Sequence, residues 1–245
     1  MKYTYQQLAK MIDHSLLHPT MTDQELEEGC KLAAHYGVAS VCIKPYAVKR
    51  AVEWLKGSGV LVGCVIGFPH GNSSTESKRY ETGLACHDGA VEIDMVINVG
   101  KALSGDWDYV ERDIRAVCAE AHQHGAKVKV IFENDYLHGG GAGLSADDLK
   151  RQLCRIAEGA GADWVKTSTG YGFVKGPDGK YSYQGATEHD LKLMRASCSS
   201  KVQVKAAGGV RDLDGLIRVR DLGASRCGAS ATAAMLDEYE RRVEF

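Results

Sequence analysis

Two short stretches hold the residues best suited to chemistry: DWVKTSTG at 163–170 and VQVKAAGGVR at 202–211. Each is an apolar run interrupted by one lysine, Lys166 or Lys205, and each leads into small residues. An ammonium group in a strand either snorkels to solvent or points into a site that uses its charge. Residues i and i+2 of a strand share a face. Trp164, Lys166 and Ser168 therefore fall on one side of the first strand, and Gln203 and Lys205 on one side of the second. Val165, Val202 and Val204 take the other side, which suits a surface covered by helices. Both lysines are expected to face inward, near the carboxyl ends of their strands.

Two inward amines repel. At ~5–6 Å and an effective dielectric of ~20 the repulsion costs about 3 kcal/mol. A free lysine titrates near 10.4, and burial acts in the same direction as the repulsion. One of the two is then neutral enough near pH 7 to attack a carbonyl and form a Schiff base. Asp94 in EIDMVIN, which shares a face with Glu92, is placed to shuttle the protons. The competing reading is a salt-bridged polar plug filling the interior. For Lys129 alone that reading stays open; for Lys166 with Lys205 it is disfavoured, because a plug needs matched carboxylates and two neighbouring ammonium groups repel. The pattern alone does not say which lysine is the nucleophile.

The elements that position these residues follow a repeated phrase: a helical pattern, then Gly, then a strand, as in HYGVASVCIK and QHGAKVKVIFEN. Gly37, Gly59, Gly89, Gly125, Gly161 and Gly223 occupy the position after a helix where φ is positive. Thr22 with Glu25, Ser145 with Asp148 and Thr187 with Asp190 read as helix starts of the capping-box type. Strands are expected at 12–16, 38–43, 60–67, 91–97, 127–133, 163–169, 202–207 and 225–228. Eight strand–helix units in 245 residues predict a single-domain α/β (β/α)8 barrel over 1–245. An open doubly wound sheet is the runner-up, disfavoured because no GxGxxG follows the first strand.

In such a barrel the site lies at the carboxyl ends of the strands. The inward polar residues there are Asp13, Asp94, Lys129, Glu133, Lys166, Ser168 and Lys205. Gly208-Gly209 and Gly228-Ala229-Ser230 follow the last two strands, each leading into a helix. Backbone N–H groups and helix N-termini there suit a phosphate, with Arg211 either a direct charge partner or a surface residue. Two further segments break the rhythm. Residues 138–143, HGGGAG, read as a flexible loop. Residues 171–184, YGFVKGPDGKYSYQ, read as a hairpin turning at Pro177-Asp178-Gly179, either a lid or a subunit contact.

Composition narrows the function classes. A net charge of −2 gives no reason to expect nucleic acid or an anionic membrane surface as partner. The longest apolar runs are too short to span a membrane, and the N-terminus has none that suits a signal peptide. Eight scattered cysteines without a CxxC pair read as reduced thiols, with the cytoplasm as the default location. Nine histidines include no HExxH, no metal is expected, and neither His14 nor His70 is read as a ligand.

The motifs IDHSLL, VCIKP, GFPHG, EIDMVINVG, VKVIFE, VKTSTG, VKAAGGVR and GAS run in order through nearly the whole chain. In this the sequence resembles the 2-deoxyribose-5-phosphate aldolases, class I enzymes. The resemblance implies a (β/α)8 barrel without metal or organic cofactor. It implies reversible cleavage of 2-deoxyribose 5-phosphate to glyceraldehyde 3-phosphate and acetaldehyde. It assigns the Schiff base to Lys166, the lowering of its pKa to Lys205 and proton transfer to Asp94. Asp13, Ser15 and Thr169 would bind the sugar or order water, and Gly170, Gly208, Gly209 and Ser230 the phosphate. Lys129, Arg211 and Gly228 join the substrate-binding set by position. Dimers are common among such barrels, so a homodimer is the assembly considered.

The chain departs from the family pattern at His18, where Lys is common, at Asn134, where Thr is usual, and in the segments at 139–143 and 171–184. The alternative within the class is a Schiff-base aldolase or thiolase acting on another phosphorylated sugar or ketone. A phosphosugar isomerase would need acid and base residues but no imine. A non-catalytic binding protein would leave two repelling lysines unexplained.

Overall fold

The computed structural model describes residues 1–139 and 141–243. Strands β1 (Ile12–Leu16), β2 (Ser40–Ile43), β3 (Leu61–Ile66), β4 (Glu92–Val96), β5 (Lys127–Ile131), β6 (Trp164–Lys166), β9 (Gln203–Ala207) and β10 (Ala224–Ala229) close into a parallel barrel. The short strands β7 (Val174–Lys175) and β8 (Tyr181–Ser182) pair antiparallel as a separate hairpin. The barrel is (β/α)8, as expected. Its strands are nearly all buried, and their outward Val, Ile and Cys side chains pack against the surrounding helices in one core.

The helix signals operate as local chemistry predicts. The six glycines have φ between 61° and 106°. Thr22, Ser145 and Thr187 each accept the backbone N–H three residues on. Only Thr22 has the reciprocal bond, from its own N–H to Glu25 at 2.6 Å. Asp148 and Asp190 are one methylene shorter. Asp148 instead accepts from its cap hydroxyl (2.7 Å), and Asp190 pairs with Lys150 (2.6 Å). A helix at Tyr5–Ala9, capped by Thr4, precedes β1 and was not expected.

Several strands are shorter than the apolar runs suggest. The run at 163–169 pairs as a strand only through Lys166. Beyond it the Thr167 hydroxyl replaces a backbone rung, donating to Ala207 O (2.9 Å) and accepting from Ala207 N (3.0 Å). β5 stops at Ile131, and at Glu133 the backbone turns left-handed, with φ 57°. Gly140, within the expected 138–143 loop, lies outside the described residues. Among the described residues no helix is long and apolar enough to cross a membrane.

Candidate active site

The barrel register sets the site. Lys166 of β6 lies directly opposite Lys205 of β9, and Lys129 of β5 lies opposite Trp164, one inward layer lower. Inward alternation therefore stacks the amines at two depths. Lys166 is 3% exposed, and Lys129 and Lys205 are fully buried.

Three carboxylates meet these amines. Asp94 Oδ2 accepts from both Lys166 and Lys205, each at 2.7 Å, and its Oδ1 accepts from Lys129 at 2.9 Å. Lys205 and Lys129 also face Asp13 Oδ2, at 2.5 and 3.2 Å, as charge contacts without hydrogen-bond alignment. Glu92 takes Lys129 at 2.6 Å and Arg226 at 2.5 Å, and Arg226 also donates to Asp13. Arg226 lies beside the Trp164 ring, 5.5 Å from its centroid. Four cations thus share three carboxylates. The plug reading left open for Lys129 holds: the lower layer, Lys129 with Glu92, Arg226 and Asp13, is salt-bridged, and the upper layer stands on it.

The charge network sorts the amines. Burial pushes Lys205 down, but Asp13 and Asp94 outweigh it and hold its pKa well above the ordinary value. Lys129 is raised in the same way. Lys166 moves the other way: burial lowers it, Asp94 opposes that, and the Lys205 charge lowers it further. The ranking of causes is therefore corrected, since burial precedes repulsion. Asp94 is held well below the carboxylate range against its own burial, by Lys129, Lys166 and Lys205. Asp13 is depressed too, its burial outweighed by Lys129, Lys205 and Arg226.

Above this floor opens a cavity of about 890 Å3. Of the residues singled out in the sequence, Asp13, Ser15, Lys166, Thr169, Gly170, Lys205, Gly208, Gly209, Arg211, Gly228 and Ser230 line it. Asp94 and Lys129 do not; they lie beneath, among the residues that hold Lys166 and Lys205. Placing Lys129 against the substrate is corrected accordingly, because its ammonium is occupied by three carboxylates. Ser168 is buried away from the cavity, and Glu133 turns its carboxylate to Thr169 N (3.1 Å) and Thr169 Oγ1.

The loop after β9 carries Gly208 and Gly209 at φ 85° and 82°, two consecutive left-handed residues that side chains would strain. The helix that follows, Leu213–Asp221, is capped by Asp212, which accepts from Gly215 N at 2.7 Å. The expectation that this helix end faces an anion is corrected, since a carboxylate of the chain already occupies it. The glycine backbone remains available. Ser230, exposed at the cavity, lies just before the helix Thr232–Val243.

Sequence reasoning missed Arg226, although it precedes Gly228 by two and so obeys the alternation that placed the lysines. It also took Cys42 for filler. The Cys42 thiol lines the cavity 3.8 Å from Asp94 Oδ2, and its pKa is pushed up to about 11 by burial and then by Asp94.

Comparison with known proteins agrees with this arrangement. The profile of the DeoC/LacD family aldolases matches residues 7–234. The deoxyribose-phosphate aldolase of Rhodopirellula baltica is 50% identical over 98% of this chain and 92% of its own length. Deoxyribose-phosphate aldolase 1 of Bacillus licheniformis is 46% identical over 94% of this chain and 95% of its own. Among solved structures, the tetrameric deoxyribose phosphate aldolase of Aeropyrum pernix superposes with a TM-score of 0.83 at 26% identity, over 97% of this chain and 92% of that one. With its barrel, its buried lysines and its sequence in agreement, the chain belongs to the DeoC/LacD family of aldolases.

Proposed function

We propose that this protein is a class I aldolase that reversibly cleaves 2-deoxy-D-ribose 5-phosphate to D-glyceraldehyde 3-phosphate and acetaldehyde, with Lys166 as the nucleophile. The observation that carries this reading is the asymmetry between two paired amines. Lys166 lies at the cavity with a lowered pKa, while Lys205 is locked in its charged form by two carboxylates. A neutral amine is what attack on an aldehyde requires.

The Lys166 amine adds to C1 of the open-chain sugar, and the carbinolamine loses water to give a protonated imine. Loss of the proton on the C3 hydroxyl then drives the C2–C3 electron pair toward the iminium. Glyceraldehyde 3-phosphate leaves, and an enamine of two carbons stays on Lys166. Protonation of its carbon and hydrolysis release acetaldehyde and restore the amine. Asp94, within 2.7 Å of both lysine nitrogens, is the proton carrier between Lys205 and the reacting nitrogen. Asp13, Ser15 and Thr169 are assigned to the sugar hydroxyls and ordered water. Gly170, Gly208, Gly209, Arg211, Gly228 and Ser230 are assigned to the phosphate end.

Turnover of 2-deoxyribose 5-phosphate, followed by acetaldehyde release, tests the reading. Efficient release supports it. No release, or preference for a ketone donor in the synthetic direction, would move the function to another Schiff-base aldolase or thiolase.

A further inference from the structure

The segment at 171–184, which the family pattern does not explain, forms one wall of the cavity. Its far end is anchored to the barrel: Gln184 N and Gly185 N donate to the Asp135 carboxylate at 2.6 and 3.0 Å, and Ala186 N donates to Gly208 O at 3.1 Å. Gly185 approaches the Gly208 loop so closely that a Cβ on it would sit 2.5 Å from Gly208 O. The near end begins at Thr169, which Glu133 holds. With both ends fixed, the hairpin presents Tyr171, Phe173 and Tyr183 to the cavity.

These aromatics are braced at two points. Tyr171 stands edge-on to Phe68, with ring centres 5.6 Å apart, and packs over Leu17, Cys42 and Val65. Tyr183 stands edge-on to Phe173 at 5.2 Å. A Cβ on Gly208 would lie 3.2 Å from Cε2 of the Tyr183 ring, so Tyr183 borders the glycine loop assigned to the phosphate. Neither the Tyr171 nor the Tyr183 hydroxyl has a hydrogen-bond partner among the described residues. The Tyr171 phenol is pushed up by burial and then by Tyr183. Both residues are partly exposed at the cavity, so a bound ligand can reach their hydroxyls.

We propose that Tyr183 is a specificity residue whose hydroxyl donates to the phosphate of the substrate, and that the hairpin gives this chain its discrimination between phosphorylated and unphosphorylated sugar. The inference rests on the aldolase reading above. Tyr183 lines the same cavity as Gly208, Gly209 and Arg211, so an anion held by the glycine loop would border its ring. Donation to a charged group strengthens binding by roughly tenfold or more, and the contact is made only when the phosphate is present.

The test compares kcat/KM for 2-deoxyribose 5-phosphate and for 2-deoxyribose in the unaltered protein and in Tyr183→Phe, which keeps the ring and removes only the hydroxyl. The ratio of the two constants is expected to fall about tenfold, through KM for the phosphorylated sugar. A ratio within twofold of the original, or an equal loss for both sugars, overturns the proposal. Inorganic phosphate binding, measured by calorimetry on the same two proteins, separates this inference from the reaction it rests on. If neither sugar is cleaved, the aldolase reading fails. Weaker phosphate binding by Tyr183→Phe still upholds the Tyr183 contact, and equal binding refutes it.

Discussion

Lys166 and Lys205 donate to the same oxygen of Asp94, each at 2.7 Å. Their nitrogens are thus no farther apart than twice a hydrogen bond, on strands paired residue to residue. Because the network holds four cations and three carboxylates, one positive charge is in surplus, and Lys166 is the amine that sheds it most readily.

Removing Lys205 should therefore restore charge balance and keep Lys166 protonated. The neutral amine is the reactive form, so turnover rises as pH rises through the Lys166 pKa. In Lys205→Leu that pKa moves up. The acid limb of the pH–rate profile is expected to shift to higher pH, and turnover at pH 7 to fall roughly a hundredfold, with partial recovery in alkaline buffer. An acid limb that stays in place would contradict this account of Lys166.

His14 supplies an acid-stability prediction. Its ring is 5% exposed, bonds Thr232 Oγ1 at 2.8 Å, and has its pKa lowered by burial from 6.5 to about 4. Between those values the unfolded chain carries a proton that the folded one refuses, so stability is lost as pH falls from 6.5 to 4. At about 1.4 kcal/mol per unit the window is worth about 3 kcal/mol. Urea melts at pH 7 and pH 4 should show His14→Gln losing that much less than the original protein. Equal losses would refute it.

Lys78 is fully buried outside the site, bonded to Asp113 at 2.5 Å and to Val96 O at 2.9 Å. Lys78→Met leaves the Asp113 carboxylate buried without its counterion and is expected to cost about 3–5 kcal/mol. Adding Asp113→Leu should recover most of that loss. Denaturant unfolding of both variants is the check, and a single variant as stable as the original would show that the pair contributes nothing.

Much of this arrangement is legible in the sequence because strand alternation is strict. Lys166, Lys205, Asp94 and Asp13 face inward by counting residues within VKTS, VKAA, EIDMV and IDHSL. Depth along the barrel is not legible in that way. Lys129 is inward as expected, yet it lies one layer below Lys166 because Ile131, not Lys129, pairs with Lys166. Partnerships between strands are hidden for the same reason. Glu92 and Arg226 are 134 positions apart and meet only through barrel closure. ASRCGAS also lacks the apolar run that made the other strands obvious. The hairpin turn was readable from Pro177-Asp178-Gly179, but its docking on Gly208 depends on the approach of two backbones, which residue types do not encode.

Borohydride reduction in the presence of 2-deoxyribose 5-phosphate, followed by peptide mass mapping, tests the central claim most directly. A single adduct of the two-carbon or five-carbon fragment is expected on Lys166, and none in Lys166→Ala. An adduct on Lys205 or Lys129, or full turnover without trapping, would contradict it.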